Sequence, residues 1–497
     1  MIRFLILTLL FTPFFITRVE SQSTERVTLD LTLEQTIELA HKQSLSSFRA
    51  KNMYLSSYWE FRSFKADRLP SLSLSSNPIE FNRSVESDYN QENFVEVNRL
   101  TSSGEFVIRQ NFTPTGGVFT IRSSLQRLEN MSKDEINIVS SPVLVGFQQS
   151  LNGYNSFRWQ ARIEPLKFEQ AKKTYLQSLE NVAINSIDYF FNVVSAEIGK
   201  KIAETNYSNA DTLYRIGRGR FEIGTVTQDE LLDLELSLLN AEISRSEAEI
   251  QLRQANTYLN SFLGIPDDIV VNCIVPFEIP SLKIDIDKAL AFALENNPDM
   301  LEYERMLLNA GESVARTRSQ TGLNMSLNAN IGINKRTNGD DISAAYQSPF
   351  DEQQRVGVSL NVPIIDWGYR KGRIQMAKAS QEETEFRVEQ NRIAFEQGVI
   401  NNVLNFNLQE KMVANAAKAD TIAQMGFDVT MQRFKIDKVD VIRLNSARNS
   451  LDAARRAFYS ALRTYWTRFY TIRQLTLYDF LNDRELTQEL DELLQKR

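Results

Sequence analysis

Residues 323–334, LNMSLNANIGIN, place an apolar side chain at every odd position: Leu323, Met325, Leu327, Ala329, Ile331 and Ile333. Every even position holds something small and uncharged. Successive strand residues point to opposite faces, so this is a β-strand with one apolar and one polar side. The apolar side must touch something. Most of the chain, however, reads as long helix, and the alternative to a membrane strand is a half-buried sheet in a soluble domain.

The chain has 497 residues, 42% of them hydrophobic and 24% charged, which is ample for a folded core. Its net charge of −7, with Lys and Arg dispersed among acids, argues against nucleic acid as a partner. One His and one Cys restrict the chemistry further. With Cys273 alone there is no intrachain disulfide and no thiolate cluster; with His41 alone, most zinc sites and any His-based triad are nearly excluded. Cys273, in VVNCIV, reads as a small buried apolar residue. No metal and no cofactor are expected. The glycines of RIGRGRFEIG lack a preceding strand, and no carboxylates pair in an apolar setting, so no enzyme site is expected either.

Residues 1–21 read as a secretory signal peptide: Arg3, an apolar run from Phe4 to Ile16, and a small-residue cleavage site before Gln22. After it no run of about 18 apolar residues occurs, so no transmembrane helix is expected. Entry into a membrane would then have to be as a β-barrel.

The chain is written twice. LTLEQTIELAHKQS (31–44) recurs as IDIDKALAFALENN (284–297) at an offset of 253, and RFEIGTV (220–226) recurs as RFKIDKV (433–439) at an offset of 213. The first copy therefore carries 40 extra residues, placed within about 77–141, where EFVIRQNFTPTGGVFTIRSSL is a hairpin candidate. The expected organisation is a first repeat at 22–265, a connector at 266–283, a second repeat at 284–475 and a tail at 476–497. Each repeat reads as helix, strand, long loop, strand, very long helix, tight turn, long helix. In the second, the opening helix spans about Asp287 to Arg318, and the return strand VGVSLNVPI exposes Val356, Val358, Leu360, Val362 and Ile364 on one side. From about Tyr369 to Met431 no Pro intervenes, which predicts one helix of about 60 residues, about 90 Å long. The helices after the tight turns carry matching seams, Leu231 to Phe262 and Leu444 to Ile472, spaced as in coiled coils.

Two strands per repeat give four for the chain, each of about the ten residues that cross a bilayer. Four strands cannot close, and an open edge in lipid costs several kcal/mol per unpaired backbone group. A barrel must be shared between chains: two copies would give eight strands, three would give twelve. On this reading Leu323, Met325, Leu327 and Ile331 face lipid. Trp159, Trp367 and Tyr369, where strands pass into helices, form an interfacial girdle. The competing reading is a soluble secreted coiled-coil interaction or adaptor protein, which explains the helices and leaves the strands without a purpose.

In its order of motifs the chain resembles the TolC-like outer membrane efflux protein family. The carriers are LTLEQTIELAHKQS and its repeat, the junction VPIIDWGYRKGRI, the SFLGIP end of the first repeat, and RFEIGTVTQDELL with its second copy RFKIDKVDVIRL. The resemblance implies a mainly α fold with a small β part and two repeats. It further implies a homotrimer in the outer membrane of a Gram-negative bacterium, with a shared twelve-stranded barrel and helices in the periplasm. Its partners would be a periplasmic adaptor and an inner-membrane pump, and its task export through a passive duct. The helical turns of the family dock the adaptor; here the matching residues are Arg220, Phe221, Ile223, Gly224 and Val226, with Arg433, Phe434, Ile436 and Val439 in the second copy. Acidic rings beyond the turn narrow the mouth in the family. Asp229 and Glu230 match the first position, Asp440 matches the second if the alignment slips by up to three residues, and Arg443 stands where some members have a second acid.

Overall fold

The computed structural model describes residues 28–87, 94–436 and 438–487. The expected signal peptide and Asp437, the counterpart of the turn residue Gly224, lie outside the described residues. In chain order the first repeat holds β1 (Thr28–Thr32), α1 (Leu33–Gln43), α2 (Leu45–Ala66), β2 (Ser71–Ser87), β3 (Phe94–Phe112), β4 (Gly117–Asn130) and β5 (Glu135–Ser150). Two long helices follow, α3 (Ser156–Glu222) and α4 (Gln228–Leu263), and then β6 (Val270–Ile274). The second repeat holds α5 (Ile286–Asn296), α6 (Pro298–Thr321), β7 (Asn324–Asn338), β8 (Asp351–Asn361), α7 (Tyr369–Asn407), α8 (Gln409–Lys435) and α9 (Val441–Thr476). A short pair, β9 (Tyr478–Asp479) and β10 (Arg484–Glu485), folds part of the expected tail. No described helix is long and apolar enough to cross a membrane.

The chain forms two compact units, one comprising residues up to Thr36 and Asn192–Pro276, the other Ile37–Phe191 and Phe277–Arg497. In the first, β1 and β6 pair in parallel from Thr28 opposite Val270 to Thr32 opposite Ile274. The periodicity does not reveal this pair, because five residues are too few for an alternation to stand out. Cys273 is buried in it, as its apolar neighbours suggest. Glu197 of α3 lies against the Cys273 backbone, and burial pushes its carboxyl up to about 7. On α4 the seam residues Ala248 and Leu259 are buried, while Leu232, Leu236, Leu239 and Ile243 remain exposed on another side of the helix.

In the second unit the expected opening helix is two helices. Pro298 has no N–H to continue α5 and prefers the first turn of a new helix. Asn297 takes an extended conformation and accepts a hydrogen bond from Asp299 N at 2.9 Å as the N-cap of α6. The first repeat breaks in the same way: Ser44, extended, accepts from Ser47 N at 3.1 Å and caps α2. The two caps are 253 residues apart, the offset of the repeat. The long helix expected from Tyr369 is likewise interrupted, at Leu408, between α7 and α8. There the Asn407 side chain bonds both the N–H and the carbonyl of Ile284, at 3.0 and 2.9 Å, fixing the break to a neighbouring segment. The α9 seam is buried from Leu462 through Tyr465, Phe469 and Ile472, and Phe406 of α7 packs on Tyr465 and Phe469.

The sheet belongs wholly to this unit and has six strands in the order β2-β3-β4-β5-β7-β8, all antiparallel. Four were expected. The surplus arises because the extra segment of the first repeat forms the β3–β4 hairpin and lengthens β2 and β5. At its other end β8 stops at Asn361, short of the expected Val362 and Ile364, because Pro363 cannot donate to a ladder.

Arg473 of α9 sits at the centre of a buried triad. It meets both oxygens of Glu180 at 3.1 Å and Asp479 at 2.8 Å, with side-chain exposures of 15%, 6% and 0%. Replacing Arg473 by Ala strands two carboxylates out of water and should cost about 3–5 kcal/mol, read as a lower urea midpoint. Glu197 gives a pH signature. Its folded pKa lies above its unfolded value, so the folded state holds more protons between about 4.5 and 7, and stability falls as pH rises through that window. In thermal melts E197Q should remove this loss, leaving the variant at pH 8 more stable than the parent and little changed at pH 4.

Candidate functional site: a two-faced sheet and two helical turns

The register of the sheet sorts its side chains into two faces. One row of paired residues runs Leu72, Ile108, Ile121, Val145, Ile331 across five strands, and its neighbour runs through Phe119, Phe147, Ala329 and Val356. Leu327 faces Val358 and Met325 faces Leu360 on the same side. This apolar face is uncovered: Leu72 is 68%, Ile331 55% and Val356 75% exposed. The alternate rows are polar, such as Ser71, Arg109, Thr120, Gly146, Asn330, Arg355. A single layer with an exposed apolar side and a polar side suits a boundary between hydrocarbon and water. Of the residues expected to face lipid, Met325, Leu327 and Ile331 share the apolar side and Leu323 stands exposed just before the strand.

Sequence reading misses Phe106, Ile108, Phe119 and Ile121. The signal is present, since FVI and VFTI alternate with the same period, but the segment reads as one hairpin candidate rather than as two wall strands. Two bulges, at Arg122/Ser124 and Ser140/Val143, shift the register where β4, β5 and β7 leave the apolar rows. Gly332 lies beside the second. A Cβ there would come 2.4 Å from the Val143 carbonyl and 2.8 Å from Leu144 Cα, so only glycine lets the two backbones approach.

At the lower margin of the sheet, Ile364, Ile365 and Trp367 are exposed, Trp367 at 95%, and Tyr369 is exposed as well. Asp366 holds this junction by accepting hydrogen bonds from Gly368 N at 3.0 Å and Arg370 N at 3.1 Å, which also keep its carboxyl below the usual range. Trp159, the expected girdle residue of the first repeat, is instead half-buried, near Gly311 and over Arg162.

The two helical turns share one closing bond. After α3, Gly224 adopts φ +76, its N–H donates to Phe221 O and Thr225 N–H donates to Arg220 O, both at 2.9 Å. After α8, Lys438 N–H donates to Arg433 O at 2.9 Å, the same bond displaced by 213 residues. Phe221, Ile223 and Ile436 are exposed at the turns, Arg433 also, while Val226, Phe434 and Val439 are half-buried. The acids beyond the turns are engaged as caps. Glu230 accepts from the N–H and hydroxyl of the N-cap Thr227, both at 3.0 Å. Asp440 is the N-cap of α9 and accepts from Arg443 N at 2.7 Å. Asp440 thus corresponds to Thr227, and Arg443 to Glu230. The Thr227 side chain and neighbouring backbone N–H groups hold the Asp229 carboxyl below its usual range.

With this geometry the comparisons agree. Residues 290–476 match the family model described as "Outer membrane efflux protein". This stretch, from within α5 to the end of α9, is similar to the outer membrane efflux proteins. No curated protein matches the chain significantly. Among solved structures, the Campylobacter jejuni CmeC outer membrane channel is 15% identical with a TM-score of 0.63, over 93% of this chain and 88% of that one. Vibrio cholerae VceC, an outer membrane protein, is 12% identical with a TM-score of 0.60, over 89% and 95%. The open state of the Neisseria gonorrhoeae MtrE outer membrane channel is 16% identical with a TM-score of 0.51, over 91% and 90%. These likenesses establish the fold.

Gly332 supplies a test of the sheet as the membrane element. Because the added methyl meets backbone, Gly332→Ala should cost about 1–3 kcal/mol. The expected result is loss of the heat-resistant assembled form on gels, while Gly339→Ala, in open space beyond β7, serves as a comparison for the turn alone.

Proposed function

We propose that three copies of this chain pool their sheets into one barrel in the outer membrane, with the helices in the periplasm, and act as the passive exit duct of a tripartite efflux or type I secretion system. Efflux across the outer membrane is the role of the family to which residues 290–476 are similar. The observation that carries the reading is the sheet: one face apolar across all strands, the other polar, and both edges open. Lipid solvates the first face and water the second, and hydrocarbon tolerates no open edge, so copies must join. On this reading Leu323, Met325, Leu327 and Ile331 meet lipid, and Trp367 and Tyr369 mark the interface, with Trp159 a lesser contributor. The exposed stripes Leu232, Leu236, Leu239, Ile243 on α4 and Ile422, Met425, Val429 on α8 keep heptad-like spacing and suit helix packing between copies.

The turns at 220–226 and 433–439 are proposed to dock a periplasmic adaptor, with the exposed Phe221, Ile223 and Ile436 as its apolar contacts. An inner-membrane pump would feed the duct. The duplicated caps at offsets of 253 and 213 support the division into two repeats at 22–265 and 284–475. Asp229, Glu230 and Asp440 are proposed to set a negative potential at the mouth through threefold repetition, with Arg443 reducing it.

Membrane fractionation tests the duct directly: the protein should be recovered in the outer membrane as a heat-modifiable trimer, and recovery as a soluble periplasmic protein would refute it. The mouth is tested separately in planar bilayers. Asp229→Asn with Glu230→Gln removes charge but keeps a residue able to reach back to Thr227, because Gln also completes a capping box. Reduced cation preference is expected, and unchanged currents would remove the mouth assignment alone.

A further inference from the structure

We propose that the outer edge of β8 pairs with the outer edge of β2 in the next copy, so that each copy supplies six strands and the assembled barrel has eighteen rather than twelve. The inference rests on the trimeric duct above for the number of copies; the junction itself is argued from the sheet.

Among the described residues no strand pairs with the outer side of β2 or β8. Six strands that alternate in direction make these two edges run oppositely, so joining β8 to a neighbour's β2 continues the antiparallel order. The contact uses two different edges and is therefore heterologous, the kind that closes into a ring. Register follows from two constraints. The apolar faces must coincide, which sets the even residues Leu72 and Leu74 against the even residues Val358 and Leu360. The regular part of β2 below its irregularity at Asn77/Glu80 is Ser71–Asn77, and the matching length of β8 is Arg355–Asn361. Setting Ser71 opposite Asn361 places Leu72 against Leu360, Ser73 against Ser359 and Asn77 against Arg355.

Barrel geometry gives an independent check. Within one copy the pairing row that leaves Ser71 passes Arg109, Thr120, Gly146 and Asn330 and arrives at Arg355. Arg355 lies six residues before Asn361, so the proposed junction staggers the ladder by six residues for every six strands. Equal shear and strand number is the relation that gives a strand tilt of about 36°, within the range barrels adopt.

Disulfide trapping decides it. In a Cys273→Ala background, S73C with S359C places both thiols on the polar face at the junction. Oxidation of the assembled protein in outer membranes should give covalent dimer and trimer on non-reducing gels, and neither from the single variants. A ladder that stops at dimer means like edges pair and overturns the heterologous junction. Stronger linking from S75C with S359C, or from S73C with V358C, overturns the register. No link in a protein that still runs as a heat-modifiable trimer overturns the junction and leaves the duct standing, whereas failure to reach the outer membrane overturns both.

Discussion

An unpaired backbone amide or carbonyl in hydrocarbon costs several kcal/mol, and a row of them along a strand edge cannot be afforded by a chain whose net stability is of order 10 kcal/mol. The six-stranded sheet has two such edges and an uncovered apolar face. In water its apolar rows would be an aggregation surface, and in lipid its open sides would be untenable. Both problems vanish together when copies close a ring, and little else about the sheet makes sense without that closure. In the proposed barrel the polar face would line a water-filled bore, which suits the serines, asparagines and arginines on that side.

Corresponding positions at offsets of 253 and 213 carry corresponding caps and turns. Each opening helix is cut by a residue that caps the next one, Ser44 in one copy and Asn297 in the other, and each long hairpin closes with the same carbonyl-to-amide bond across its turn. The side chains differ while the backbone task is the same: Thr227 and Asp440 are both N-caps, and Arg443 stands where the other turn has Glu230. An acid at a helix start has a structural use in satisfying free N–H groups, and that use sets the identity of Glu230 and Asp440 before any effect on passing ions.

The two-faced strands of the second repeat are legible from sequence alone because a period of two sustained over ten residues fits a strand and misfits a helix. The helix seams are legible for the same kind of reason, and Leu462, Phe469 and Ile472 are indeed buried. What escapes are features without a period. The interruption at Leu408 depends on Asn407 reaching Ile284, a contact 123 residues away in sequence. Ser44 could itself continue a helix, and its capping bond to Ser47 N marks the break. The β1–β6 pair is too short to show alternation at all. The strand count fails differently: matching one repeat to the other counts what they share and leaves the surplus of the first as an insertion, although Phe106, Ile108, Phe119 and Ile121 alternate as the shared strands do.

That surplus is built into the wall rather than appended to it. At the base of the β3–β4 hairpin, Asn155 near the start of α3 donates to the carbonyls of Thr113 and Pro114, at 2.8 and 3.2 Å. On its other flank Gln110 donates to Arg68 O at 2.8 Å and Asn111 to Asp67 O at 2.9 Å, just past the end of α2. The hairpin is therefore held at both neighbouring strand-to-helix junctions without bringing helices of its own. In the proposed barrel, adding two strands per copy would enlarge the circumference, because barrel diameter grows roughly with strand number. A wall widened in this way needs its new turn fixed at the level where strands become helices, since an unanchored turn there would hang across the passage. The four hydrogen bonds from Asn155, Gln110 and Asn111 would supply that anchor in the proposed barrel.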